Sequence, residues 1–369
     1  MRSEVRRGLV CIGLLELVAT IGASAGTLVE SGVYQMYTLV IPGIDSGRFS
    51  LACDVNDRGQ VVGRYEAPNG WLTFEWEKRS GARKLENEMT PGGSLVALND
   101  QGELAGSVYR EIGVYGGPRP VKWDAAGGML DLGTLGGLFG QANDLNDSGA
   151  VVGSAEKSSR VEHAFLWQAT GPMRDLGTLR GYWSRAQVIN DSGVVAGTSY
   201  TGTETHAFVW DSVNGMRDIG RAAGPGTSLY VYGINNSQQI VGATNYGTYG
   251  GTRAWVWDGG QFRDLGAAGA IASGIADSGE VVGWVRDNTG REQAFLWDQS
   301  AGMRILGTPP GYVASHALAI NEFGWIVGCV WDANGYYSAV WEPVPEPSSL
   351  LALLCGVGAL GGAMWRRRR

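Results

Sequence analysis

Polar and apolar positions fall into a nine-residue pattern that the chain repeats. Leu145–Gly153 reads LNDSGAVVG, Ile189–Gly197 reads INDSGVVAG and Ile320–Gly328 reads INEFGWIVG. The stretch occurs seven times, some copies degenerate. Its Asn position falls at Asn56, Asn99, Asn146, Asn190, Asn235, Ala276 and Asn321, at intervals of 43, 47, 44, 45, 41 and 45 residues. Apolar runs such as HAFLW and RAWVW keep the same beat and end at Trp76, Trp123, Trp167, Trp210, Trp257, Trp297 and Trp341. A third marker, RDLG or a close variant, lies at Asp131, Asp175, Asp218 and Asp264, with degenerate copies near Tyr37, Lys84 and Arg304. Each repeat therefore predicts four short strands: the alternating run before Asn, VVGxS, HAFLW and MRDLG.

The turns between them are legible too. NDSG joins the first strand to the second, with side chains that hydrogen-bond nearby backbone and a Gly for positive φ. A Gly-containing turn such as WDSVNGM joins the third to the fourth. Four antiparallel strands in about 44 residues make one propeller blade, so the expectation is an all-β, seven-bladed β-propeller over residues 36–341. The ends support a closed ring over a solenoid. The chain enters at Met36–Val40 as a fourth strand with no first three before it, and leaves at Ala339–Trp341 as a third strand with no fourth after it. Pairing the two ends would remove exposed strand edges.

The sequences HAFLW (His163–Trp167), MRDLGTL (Met173–Leu179) and INDSGVVAG resemble the HAF repeat family of extracellular bacterial proteins. The resemblance runs from Tyr37 to Trp341. It implies export and a repeated β-fold, and no established activity. Only His163 and His206 keep the His, and Ala276 replaces Asn.

Composition agrees with many short strands: 59 Gly and 14 Trp among 369 residues, and 18% charged residues. The two ends read differently from the body. Residues 1–25 carry Arg2, Arg6 and Arg7, an apolar run and then Ala23-Ser24-Ala25, the pattern of a secretory signal peptide. Residues 342–369 contain Val344-Pro345-Glu346-Pro347, an uncharged stretch over 348–365, and Arg366, Arg367, Arg368 and Arg369. As a helix the stretch would be about 27 Å long, close to a hydrocarbon core of about 30 Å, with the Arg cluster held in the cytoplasm. Motif, apolar helix and Arg cluster in that order resemble the PEP-CTERM sorting signal of Gram-negative bacteria. That resemblance implies processing by exosortase, a membrane protease-transpeptidase, and an association with exopolysaccharide production.

Three of the 29 basic residues lie in the signal peptide and four in the tail, and two of the 36 acidic ones in the signal peptide. With Glu342 and Glu346 also in the tail, the body keeps 22 basic and 32 acidic residues, a net −10, which argues against nucleic acid or an anionic membrane surface as partner. No CxxC pair or HExxH occurs, the one GxSxG match, Gly22–Gly26, falls at the end of the signal peptide, and no cofactor or metal site is expected. Cys53 in the first blade and Cys329 in the last would be neighbours in a closed ring, which leaves a disulfide across the seam open.

The repeat filters candidates for chemistry. His163 and His206 share a blade position filled elsewhere by Arg253, Gln293 and Ser338, and read as strand residues with local hydrogen bonds. The repeated Asp residues read as turn caps, and DLNDSG as turn chemistry and not a Ca²⁺ loop. His316 shows no partner in sequence. The first-to-second and third-to-fourth turns share one face and are uniform. The other loops share the opposite face, vary, and are rich in aromatics. Tyr65, Trp71, Tyr109, Tyr182, Trp183, Tyr246, Trp331 and Tyr336 on that face are the candidate ligand-binding residues. Rings of this kind suit the C–H faces of sugars. The expected role is a non-catalytic binding module for exopolysaccharide or another surface glycan. A structural or protein-binding module is the alternative, and a glycosidase or lyase a weaker one. A glycosidase needs two carboxylates across one bond, and nothing in the sequence pairs Glu66, Glu111, Asp287 and Asp332.

Overall fold

The repeat folds as seven antiparallel four-stranded sheets, one of them carrying a fifth strand. The structure, a computed structural model, describes residues 27–28, 34–41, 49–68, 70–85, 94–112, 115–222, 227–246 and 251–344. The signal peptide, Pro345 to Pro347, the apolar stretch and the Arg cluster lie outside them. The inner strands of blades I to VII are Ser50–Val55, Ser94–Leu98, Gly136–Leu145, Ser184–Ile189, Ser228–Ile234, Ala270–Ile275 and Ala314–Ile320. Blade VII takes its fourth strand from the other end of the chain: Tyr34–Thr38 pairs antiparallel with Tyr336–Pro343, Met36 opposite Trp341. The expected closure of the ring is present.

Two glycines of the nonapeptide have different causes. Gly59 and Gly149 sit at φ 74°, which the hairpin turn requires. The Gly of VVG has ordinary φ but no room. A Cβ on Gly153 would overlap the carbonyl oxygen of Gln141 and meet the Phe165 ring. The inner strand slips register there, between Ala142 and Asp144, and the same shift recurs in every blade. The HAF phenylalanines and their equivalent Phe74 fill the space beside that shift. Phe74, Phe165, Phe208 and Phe295 are fully buried, as are Trp76 and Trp341. Each blade buries one face against the next, so Val152 and Leu166 of blade III pack with Phe208 and Trp210 of blade IV.

Hydrogen bonds also join the blades around the axis. Asn56 donates from Nδ2 to the Asn99 carbonyl (2.9 Å), Asn99 to Asn146 (3.1 Å), Asn146 to Asn190 (3.0 Å), Asn190 to Asn235 (3.0 Å) and Asn235 to Ala276 (3.1 Å). A second ring is complete. The Asp57 amide donates to Asp100 Oδ1, and the relay continues through Asp147, Asp191, Asn236, Asp277 and Glu322 back to Asp57. The turn side chains thus do more than cap their own backbone, which the sequence reading assigned them. The Asn caps its own turn through Oδ1 and reaches the next blade through Nδ2, while the acid caps the blade before it.

The strand residues His163 and His206 are explained by the RDLG marker. His163 Nδ1 lies 2.8 Å from Asp175 Oδ1, and His206 Nδ1 2.9 Å from Asp218 Oδ2. Arg119 and Arg253 reach Asp131 and Asp264 in the same way, each at 3.1 Å. Each of these four Asp also accepts from the amide two residues on, at Gly133, Gly177, Gly220 and Gly266. Their expected role as turn caps holds.

Candidate functional site

Inner strands run from the variable face to the turn face, so the axial channel has two mouths. At the turn face the carboxylate ring surrounds a cavity of 310 Å³. Burial and the neighbouring carboxylates raise the Asp57, Asp147 and Glu322 carboxyls above their ordinary values. Just inside lies an apolar collar, one residue from each blade: Val55, Leu98, Leu145, Ile189, Ile234, Ile275 and Ile320. Beyond it lies a second cavity of 420 Å³, which shares Ile234, Ile275 and Ile320 with the first. Its wall differs at the equivalent position of every blade: Cys53, Val96, Asn143, Gln187, Tyr232, Ser273 and Leu318. Asp54 and Asp144 also line it. Each accepts from its own strand and from the next inner strand, at Leu98 (2.8 Å) and Ile189 (2.8 Å). Burial nonetheless pushes the Asp54 carboxyl up to about 7 and raises Asp144 in the same direction.

The variable face gathers four of the eight aromatic candidates into two groups. The first spans blades VI, VII and I. His316 stacks on Trp284 (4.3 Å between ring centres, 15°) and meets Trp331 edge-on (4.8 Å). Trp331 stacks on Tyr336 (5.1 Å), and Tyr336 touches Phe49 (5.4 Å). His316 Nε2 lies 2.9 Å from Glu292 Oε2, and Glu292 also holds Arg286. Sequence reading had missed this pair because His316 and Glu292 belong to different blades. Burial lowers the His316 pKa against the pull of Glu292, while Arg286 and His316 outweigh burial and lower Glu292. At neutral pH the pair is a neutral imidazole donating to a carboxylate, which leaves Nδ1 unprotonated.

The second group spans blades III and IV. Tyr182, 62% exposed, packs edge-on against Tyr200 (5.2 Å), and Trp183 lies parallel to Tyr200 at 6.4 Å. Arg185 covers Trp183 (5.5 Å) and forms a two-point ion pair with Glu162 (2.7 and 2.9 Å). Glu162 and Glu292 occupy the same blade position, each bonded to the inner strand of the following blade.

The remaining candidates do not join either group. Trp71 lies under the Arg64 guanidinium (5.0 Å), and Tyr109 and Tyr246 are separately exposed. Tyr65 must be removed from the set. It is 2% exposed and packs in the blade I core with Trp76 and Phe74, because its strand position points between the sheets. Two of the loop acids serve as turn caps. Asp287 caps Thr289 and Arg291, and Asp332 caps Asn334 and Gly335. Cys53 and Cys329 are both free thiols, so the seam carries no disulfide. Among the described residues no group of three or more His, Cys, Asp or Glu is placed to hold a metal ion. A larger cleft of 520 Å³ opens on the turn face between blades I and II. Some of its polar groups pair with one another: Gln60 donates to Glu75 (3.2 Å) and Glu77 (2.7 Å), and Arg83 pairs with Glu75.

Residues 343–369 match the PEP-CTERM protein-sorting motif. No curated protein matches the chain in sequence. Solved structures match in fold. An oligogalacturonate lyase from Vibrio parahaemolyticus superposes with a TM-score of 0.61 at 10% identity, over 88% of this chain and 98% of that one. An oligogalacturonate lyase in complex with manganese gives 0.59 at 13%, over 88% and 97%. A puromycin hydrolase gives 0.55 at 14%, over 80% of this chain and 52% of that one. At such identities the likeness concerns the fold alone. The chain is an exported seven-bladed propeller whose sorting motif implies C-terminal membrane anchoring and processing by an exosortase-type enzyme.

Proposed function

We propose that the propeller is a non-catalytic binding module for exopolysaccharide or another surface glycan, held at the envelope of a Gram-negative bacterium. A signal peptide at residues 1–25, a membrane helix at 348–365 and the HAF-type repeat belong to the same reading. The observation that carries it is the aromatic array of Trp284, His316, Trp331, Tyr336 and Phe49 across three blades of the variable face. A pyranose presents an apolar C–H face to such rings, and its hydroxyls find Glu292, Arg286 and the His316 Nδ1 beside them. Ion pairs already neutralise the nearby charges, as suits an uncharged ligand better than a charged one.

The test is tryptophan fluorescence of the full chain in detergent during titration with exopolysaccharide from its source. Saturable quenching that weakens about tenfold in Trp331→Ala or Trp183→Ala is the expected result, equivalent to about 1.4 kcal/mol. No response at millimolar sugar rejects the glycan and leaves a structural or protein-binding module. Release of shortened product during the titration rejects the non-catalytic reading.

A further inference from the structure

We infer that the axial channel is a second subsite, which seats the terminal residue of an uncharged saccharide chain; the inference rests on the glycan reading above. The channel is entered along the axis from the variable face, so that it receives a chain end and not the middle of a polymer. Its 420 Å³ falls within the range of about 300–1,000 Å³ typical of small-molecule sites.

The wall has the features such a residue needs. Tyr230 and Tyr232 stand along one inner strand with their rings nearly parallel (9°, 6.2 Å). They are 44% and 41% exposed although they line the axis of the molecule. Packing does not require large rings there, since other blades place Ser273 or Val96 at the Tyr232 position. Opposite chemistry comes from the neighbouring blades. Gln187 donates from Nε2 to Thr198 (2.9 Å), while its Oε1 is buried without a hydrogen-bond partner. Asn143 and Ser273 add polar side chains to the same wall.

The charge distribution selects the sugar. Asp54 and Asp144 line the lumen, the carboxylate ring lies below, and among the described lining residues of both cavities there is no Lys, Arg or His. A uronate carboxylate would find no cation to pair with and would approach the carboxylate ring, whereas an uncharged hexose meets no such penalty.

The experiment is calorimetric titration of the full chain in detergent with cellotriose, maltotriose and trigalacturonate. It is repeated in Tyr232→Ala and Ser273→Trp, which change the lumen volume in opposite directions. At least one neutral trisaccharide is expected to bind, about tenfold more weakly in Tyr232→Ala and undetectably in Ser273→Trp, with unfolding temperatures confirming folded variants. Trigalacturonate should not bind. Neutral binding that both variants leave unchanged, or tighter binding of trigalacturonate, overturns the inference. If no trisaccharide binds while the polymer still quenches fluorescence, the channel subsite is rejected and the face reading stands. If the polymer is silent too, both fall.

Discussion

Asn321 donates from its side-chain amide to the backbone carbonyl of Asn56 at 2.9 Å, across 265 residues of sequence. The bond joins the last blade to the first with the same geometry that joins consecutive blades, so the seam resembles any other blade boundary at the axis. The ring has one gap. Ala276 stands in the Asn position of blade VI and has no side-chain amide to donate to the Asn321 carbonyl.

That gap predicts a gain. Ala276 is buried, and its turn keeps the hydrogen bonds of the others, from its amide to Glu280 and from Gly279 to its carbonyl. Ala276→Asn should complete the ring and stabilise the fold by about 1 kcal/mol, read as a higher urea midpoint. The reverse change, Asn190→Ala, removes a donor to Asn235 (3.0 Å) and an acceptor of the Val194 amide (2.9 Å). It should cost about 1–3 kcal/mol because buried partners are left unpaired. An unchanged midpoint in both variants would show the ring to be incidental.

The turn of blade V carries a similar irregularity. Gln238 occupies the place of the turn glycine and sits at φ 64°, a left-handed value. A side chain there costs about 1–2 kcal/mol, partly offset in Gly by about 0.5–1 kcal/mol of backbone entropy. Gln238→Gly should therefore raise stability by about 0.5–1 kcal/mol. The same substitution at Asn236, one turn position outside the left-handed region, should not.

The carboxylate ring sets a pH dependence. Asp57, Asp147 and Glu322 are raised above their ordinary values, and Asp54 is raised to about 7. A raised carboxyl binds its proton more tightly in the folded state than in the unfolded one. Its contribution is full below the ordinary value near 3.8 and is lost as pH rises through the raised one. Stability should therefore increase as pH falls from 8 to about 5. Below about 4 the trend reverses, because Asp175 and Glu292 are lowered and lose their partners on protonation. Asn236 already fills one ring position, accepting from Asp191 at 2.9 Å. Asp147→Asn should thus be tolerated, add about 0.5 kcal/mol at pH 7.5 and add nothing at pH 4. Loss of stability at neutral pH would show that the carboxylate itself is required.

Much of this architecture was legible along the chain because it is periodic. The Asn spacing, the Trp beat and the complementary ends fixed blade number and closure, and the strand partners of HAFLW and RDLG follow within one repeat. Contacts across blades were not legible. The Asn relay joins residues that look like seven copies of one local turn, and His316 finds Glu292 only because neighbouring blades lie side by side. The site was legible as a face and not as a constellation. Trp331 and Tyr336 share one hairpin in both views, but Trp284 and Phe49 join them only through the ring. Tyr65 was misplaced because alternation along its strand, and not its nearness to a loop, decides burial.

The His316–Glu292 pair offers a direct readout of the candidate face. Glu292 holds the imidazole pKa up against burial, so its removal must let burial act alone. Glu292→Gln should lower the His316 pKa further, while Nε2 keeps a hydrogen-bond acceptor in the new amide oxygen. Arg286→Gln should move it the other way, because the guanidinium lowers the His316 value directly. Histidine ring resonances followed by NMR across pH 4–8 separate His316 from His163 and His206, whose partners are Asp175 and Asp218. A His316 titration unmoved by Glu292→Gln would mean that the imidazole and the carboxylate do not meet in solution. The aromatic array would then lack the polar edge on which glycan recognition depends.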